Sequence, residues 1–436
     1  PQTSIENFRQ NPAFALFSFD PNLRVPYVQQ WNVGVQHEIL KDTVLEARYV
    51  GNRGTKLTRA IDINQQRIFA NGFLQDFQRA MFNFNNCGGR VNPTAAQCAN
   101  RQPLQLLPSF GAFALNQQTF LTSVRQGEPA RALDFYISNK PFFFTGFGGE
   151  NFGSTQSINP YLPNPSTYVA DYVGNGAYSS YNALQVEIRR RYINGFDFQA
   201  NYTFSKSLTD YEGSQTNFQG LLDLTLGDVV EKRRANNDLT HVFKANAGYE
   251  LPFGRGQRWV SNGFLGTVLG GLKLTGIFRA QSGRPISFVS ARGTLNRTGR
   301  SAQNTVDSTL TLDELQSHTG LFFDRTTGAP LMFDPDFIAN RLNILHNPAA
   351  GTVGSLQLTP VTGPGYWNLD MGVIKRTPIT ENVNIEFRME VFNVFNHTNF
   401  FISSTSLPQN INAATFGQIT ESFDPRIFQF ALKLNF

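Results

Sequence analysis

The chain has 436 residues, which at ~150 residues per domain allows about three soluble domains or one large all-β unit. Charged residues are 16% of it, against roughly 25% in ordinary soluble domains, while Phe and Tyr supply 41 and 13 residues; that aromatic load excludes a polyelectrolyte disordered chain. Mean hydropathy is −0.28 and the longest unbroken apolar run is Ala13 to Phe17, which excludes a membrane-spanning helix, and the net charge of +5 is too dilute to mark a nucleic-acid partner.

Strict alternation of apolar and polar residues starts early and recurs in pairs. Trp31, Val33 and Val35 alternate with Asn32, Gly34 and Gln36; after a turn at Leu40-Lys41-Asp42, Leu45, Ala47 and Tyr49 alternate with Glu46, Arg48 and Val50. This period of two belongs to strands, because a helix scatters such residues around its circumference. A long segment from Thr55 to Ala177 follows. It holds both cysteines, Cys87 and Cys98, in a polar, glycine-containing stretch that predicts a disulfide-closed loop and an oxidising compartment. A loop of that size contributes roughly 2–3 kcal/mol by limiting the open ensemble.

The second pair is the clearest. Leu184, Val186 and Ile188 alternate with Gln185, Glu187, Arg189 and Arg191, and Phe196, Phe198, Ala200, Tyr202 and Phe204 alternate with Asp197, Gln199, Asn201 and Thr203. Asn194-Gly195 between them favours a tight hairpin turn. The third pair runs Phe243 to Leu251 and Leu272 to Ala280, joined by a glycine-rich connection from Pro252 to Gly270. The fourth runs Trp367 to Val373 and Ile385 to Val391, joined through Pro378 to Asn382. A single strand from Phe428 to Phe436 closes the chain.

Nine strands result, with short turns inside pairs and long connections between them: roughly Thr55 to Ala177, Leu208 to Asp238, Gly283 to Gly365 and His397 to Phe423. Soluble domains rarely tolerate such connections, whereas membrane barrels have short periplasmic turns and long extracellular loops. The predicted fold is therefore all-β, an antiparallel transmembrane β-barrel over residues 1–436, with large extracellular loop regions at 55–177 and 283–365. An odd count, and a chain opening at Pro1, predict part of a larger barrel; the alternative is a tenth strand hidden in Phe135 to Phe147.

Five segments, in order, resemble TonB-dependent receptors, and within them the Oar-like group that carries a carboxypeptidase-regulatory-like domain. They are Val25 to Gln36 with Tyr49-Val50-Gly51-Asn52-Arg53-Gly54, Tyr181 to Gln185, Tyr202-Thr203-Phe204-Ser205-Lys206-Ser207, Leu251-Pro252-Phe253-Gly254, and Glu386 to Phe400. The resemblance implies a 22-stranded outer-membrane barrel around an N-terminal plug, energised through the inner-membrane TonB complex. It also implies that the terminal Phe436 serves the barrel assembly machinery. Residues matching a plug or coupling box do not occur in this sequence, so the wall and outer loops are the parts expected here and the rest is expected upstream.

Catalytic motifs are weak. His37-Glu38 lacks the second histidine of a zinc helix, no Gly-Lys phosphate loop occurs, and the five histidines are dispersed; no cofactor, metal or enzymatic role is expected. Asp324-Arg325 and Asp334-Pro335-Asp336 read as polar loop, and the glycosylation-like triplets at Asn201, Asn296 and Asn396 as chance. Charge on a lipid-facing strand position costs ~2–4 kcal/mol at mid-bilayer, so alternation directs Arg48, Glu187, Arg189, Arg191, Glu386, Arg388 and Glu390 into the lumen, as wall rigidity and solvation before any substrate contact. Trp31, Tyr49, Tyr202, Trp367 and Phe436 are candidates for interfacial girdles. Loop aromatics such as Phe82 to Asn86 and Phe142 to Phe147 are expected to pack loops together in preference to the alternative, stacking on sugars. The function that follows is energised uptake of a bulky nutrient (a glycan, peptide or chelate) across the outer membrane. A passive porin or export channel is the alternative, and a surface adhesin a third reading.

Overall fold

The computed structural model describes residues 15–70, 72–145, 162–164, 169–211, 224, 232–254, 259, 263–295, 304–380, 383–401 and 408–436. Nine wall strands form one antiparallel meander in which each strand pairs with its sequence neighbours. They are β1 (Tyr27–Leu40), β2 (Thr43–Asp62), β3 (Val169–Ile193), β4 (Phe196–Thr209), β5 (His241–Glu250), β6 (Leu272–Gln281), β7 (Tyr366–Pro378), β8 (Asn384–Phe392) and β9 (Ile427–Asn435). Among the described residues β1 and β9 are not paired with each other, so the barrel wall is open.

The predicted hairpins hold. Asn194 and Gly195 have φ of 52° and 81°, the left-handed values that a tight two-residue turn between twisted strands requires. Strand lengths exceed the prediction: β2 has 20 residues and β3 has 25, whereas about 9–11 tilted residues cross a bilayer. Their pairing resumes after two register shifts and runs on to Asp62 opposite Asp171, and Ala15–Phe19 adds a parallel strand beside Val169–Val173. Both strands therefore project well past the wall on the side of the long connections, called here the loop end. The opposite side is the turn end.

The long connections are folded, not merely polar. Between β2 and β3, helices α1 (Phe73–Asn86), α2 (Gln118–Gln126) and α3 (Pro129–Thr145) enclose a dry core of Phe73, Phe77, Phe110, Phe120, Val124 and Leu133. Phe110 stacks on Tyr136 at 3.6 Å between ring centroids. The tenth strand considered for 135–147 is helix through residue 145, because Ala130, Leu133, Tyr136 and Ile137 recur at helical spacing and are buried together; residues 146 and 147 lie outside the described set. The buried Asp76 carboxylate accepts the backbone N–H groups of Gln105, Leu106 and Leu107 at 2.8, 2.9 and 2.8 Å, tying the following loop to α1. Cys87 and Cys98 form a disulfide at the end of α1.

A second body draws on two connections at once. Phe288, Phe333, Phe337, Leu345 and Phe416 come from residues on either side of β7 and β8 and share one core, with Phe333 and Phe416 stacked at 5.1 Å. Pro408–Asn410 pairs in parallel with Pro285–Val289 to join them. The two bodies touch through Glu128, whose carboxylate accepts the Gly293 N–H at 3.2 Å and holds Arg131 at 3.1 Å. By contrast the wall has no such core among the described residues: Phe198 is half-buried and Phe243 and Phe387 are 37% and 39% exposed.

Candidate functional site

Register sorts the wall into two faces. On one, Gln36, Glu46, Glu187, Asn201, Lys244, Arg279 and Asn368 stand side by side across β1 to β7. The neighbouring row on this face carries Arg48, Gln185, Thr203 and Gln281, and the row on its other side Glu38, Arg189, Gln199, Asn246 and Asp370. On the opposite face Val35, Ala47, Val186, Tyr202, Phe243, Ala280 and Trp367 form an apolar row.

Charge is segregated along the polar rows. Glu46 stands directly opposite Glu187, an arrangement that like charges disfavour; Arg48 relieves it by pairing with Glu46. A shallow depression of about 200 Å³ opens there, lined by Glu46, Arg48, Gln185, Glu187, Asn201 and Thr203. Lys244 and Arg279 continue the same row with positive charge.

A second cluster sits on β7 to β9. Glu386 is in register with Arg376 on one side and Lys433 on the other. Its carboxylate accepts from Arg376 Nε at 2.6 Å and from Arg388 Nε. Arg388 and Glu390 lie on that face too, in register with Ile374 and Gly372. Arg376 escapes the sequence reading because the alternation stops being legible at Lys375, which stands in an apolar row opposite Leu272 and Phe387.

The basic triplet of β3 is split. Arg189 stays on the polar face, opposite Val44 and Gln199, whereas Arg191 falls at the register shift between Arg190 and Ile193, next to the turn where its N–H donates to the Asp42 carbonyl at 3.0 Å. Arg190 registers with Phe198 on the apolar face, its guanidinium 6.0 Å from the Phe196 ring. The basic triplet Lys232-Arg233-Arg234 in the β4–β5 connection includes a rim staple. Arg234 pairs with Asp238 at 2.8 Å and donates to Thr362 Oγ1 of the second body at 2.8 Å. Beside it a cleft of about 870 Å³ is lined by Lys206, Leu208, Lys232, Arg233, Leu312 and Leu358 among others.

The acidic loop residues serve turns. Asp334 caps the helix Pro335–Ile344, and Asp336 pairs with Arg325 at 2.9 Å. Asp324 is held below the usual carboxylate range by the N–H and hydroxyl of Thr327 and the N–H of Thr326. Glu314, in a capping box with Thr311, is lowered in the same way by the Thr311 N–H and hydroxyl. Burial pushes the Tyr136 phenol up to about 12.

A family model described as the outer membrane beta barrel domain matches residues 1–429. The chain belongs to this family. Its place is therefore the outer membrane, and the apolar face of the wall is its lipid-facing band. No curated protein sequence matches the chain. Solved structures similar to it include the outer membrane transporter YddB from Escherichia coli (8% identity, 95% of this chain and 33% of that chain, TM-score 0.35). The ferric-catecholate import receptor Fiu from Escherichia coli K12 is similar at 7% identity over 95% and 28% of the two chains, TM-score 0.35. The FrpB iron transporter from Neisseria meningitidis is similar at 10% identity over 96% and 32%, TM-score 0.33. The chain thus spans about a third of the length of these structures.

In this outer-membrane barrel the segments singled out from sequence have physical roles. A Cβ at Gly51 would lie 2.3 Å from the Trp31 indole, so glycine there lets the ring lie flat on β2. Trp31, Tyr49 and the Tyr202–Trp367 row occupy three consecutive rows of the lipid-facing band toward the loop end, while Phe436 follows β9 at the turn end. Asn393, Asn396 and Asn399 build the turn after β8. Asn393 and Asn396 adopt φ of 53° and 51°, and Asn399 exchanges two hydrogen bonds with the Trp367 backbone at 2.8 and 3.0 Å, extending β7's pairing by a side chain.

Proposed function

We propose that this barrel is the wall and outer face of a TonB-dependent receptor that imports a bulky nutrient. The observation that carries the reading is the polar face itself: a polar row continuous across seven strands, four of its seven residues charged, overhung at the loop end by two folded bodies. Arg48, Glu187, Arg189, Arg191, Glu386, Arg388 and Glu390 then line the lumen, where ion pairs such as Glu386 with Arg376 and Arg388 stiffen the wall. No covalent chemistry is involved.

The wall is part of a larger one in this reading. In a nine-strand meander the first and last strands run the same way, so direct pairing of β1 with β9 would be parallel; further strands between them restore antiparallel closure. Energy coupling comes through a plug-bearing segment, and Phe436 is the residue the assembly machinery reads.

Uptake of candidate chelates and oligosaccharides by cells expressing the full-length protein tests this, with and without a functional TonB complex. Loss of uptake without the complex is expected. Uptake that persists without it, together with steady ion conductance in planar bilayers, overturns the energised reading in favour of a passive channel.

A further inference from the structure

The longest connection at the turn end joins β5 to β6 and contains a short helix, α4 (Gly263–Leu269). Phe264 and Leu265 are 80% and 61% exposed, and Val268 is exposed beside them. At about 100° per residue these three share one arc of the helix, and Gly266 lies opposite it. Gly266 is the helix's buried residue and its point of contact with the protein. A Cβ on Gly270 would stand 2.6 Å from the Gly266 carbonyl oxygen, and one on Gly254 would stand 2.5 Å from Gly270 Cα. The glycines hold the helix close by its polar backbone, and its apolar arc points away from the protein.

Lys375 shows on which side of the wall the helix lies. It registers with Leu272 and Phe387, so its side chain leaves the sheet on the lipid-facing side. Its ammonium donates to the carbonyls of Thr267, at 2.7 Å, and Gly270, at the end of α4. The helix is therefore folded toward the lipid side, and a cation at the edge of the apolar band is satisfied by its last carbonyls. Trp259, 51% exposed and 5.8 Å from the Phe253 ring, is tied to the same place, because its carbonyl accepts the N–H of Gly254, the glycine that packs on Gly270.

We infer that α4 and Trp259 form an interfacial anchor, seated at the headgroup–acyl boundary of the leaflet at the turn end. The occupant of the patch is lipid, because it continues the lipid-facing band through Lys375 and Leu272 and carries the aromatic and aliphatic residues suited to that boundary.

The test uses the Trp31→Phe, Trp367→Phe protein, which retains Trp259 as its sole tryptophan. It is reconstituted in phosphatidylethanolamine–phosphatidylglycerol vesicles, with folding checked by heat-modifiable mobility. Chains brominated near the headgroup should quench Trp259 strongly, chains brominated near the terminal methyl less, and acrylamide least. Nitroxide labels at Phe264→Cys and Leu265→Cys should be more accessible to oxygen than to a water-soluble nickel chelate. Quenching of Trp259 by acrylamide alone in folded protein overturns the inference. So does protection from both quenchers, the result a protein partner or a second copy would give.

Discussion

Replacing Asp76 by Ala removes the acceptor for three backbone donors in the first loop body. Hydrogen bonds to a charged group contribute about 1.5–3 kcal/mol each. Two of the three donors, Gln105 and Leu106, are only part-buried, so water recovers some of their loss, whereas Leu107 N–H is buried. The expected local destabilisation is about 4.5 kcal/mol, the lower end of that range summed over three bonds. Amide exchange measured across residues 73–137 should then accelerate by about a thousandfold, since every 1.4 kcal/mol is tenfold. The barrel's heat-modifiable mobility should not change, because the wall shares no core with this body. Asp76→Asn keeps the shape and one acceptor, but turns an amide toward the donors that the second oxygen accepted, so it should lie between the two. Exchange in Asp76→Ala within about threefold of the parent would refute the reasoning, because it would mean that these three donors find equal partners in water.

Gly51→Val should lift Trp31 off β2, at a cost of about 1–3 kcal/mol for overpacking, seen as a shift in tryptophan emission; unchanged emission would show that the ring does not lie where it is placed. Reducing the Cys87–Cys98 bond should destabilise the first body by about 3 kcal/mol and expose residues 88–97 to proteolysis without altering wall mobility. Glu314 and Asp324 have folded pKa values below their unfolded ones, so the stability they lend is present above the unfolded values of about 4.3 and 3.9 and is lost as pH falls through the folded ones. Protection factors in 311–327, corrected for the intrinsic pH dependence of amide exchange, should thus stay flat down to about pH 4 and fall only below it, and Thr311→Val should remove the part due to Glu314.

The strands were legible because one face of each meets lipid and the other water, which stamps a period of two on residues such as Phe196 to Phe204. The loop bodies were less so. Phe73, Phe77 and Ala80 keep helical spacing, but they sit among Asn and Gln, and a segment such as Phe82-Asn83-Phe84-Asn85 alternates like a strand while forming helix. Much of the phenylalanine is buried in these bodies and not on the lipid-facing band, as at Phe120, Phe288 and Phe337. The joint core of the second body has no local signature at all, because its halves are separated by β7 and β8. In the wall, residues within clean alternation were legible, whereas Arg376 on the polar face and Arg190 on the apolar face were hidden by cations occupying both faces near strand ends.

The separation of core from wall gives this protein two solvents. Its loop bodies are held by the exclusion of water from packed phenylalanines, and urea weakens that hold directly. Its wall is a single sheet whose outer face is completed by acyl chains, so bilayer thickness tunes it more than any aqueous cosolute does. A denaturant titration in vesicles should melt the loop bodies while the wall stays inserted, and a thinner bilayer should strain the wall while the loop bodies stay folded. The loop end can thus change its packing residue by residue without the part that holds the membrane taking any notice.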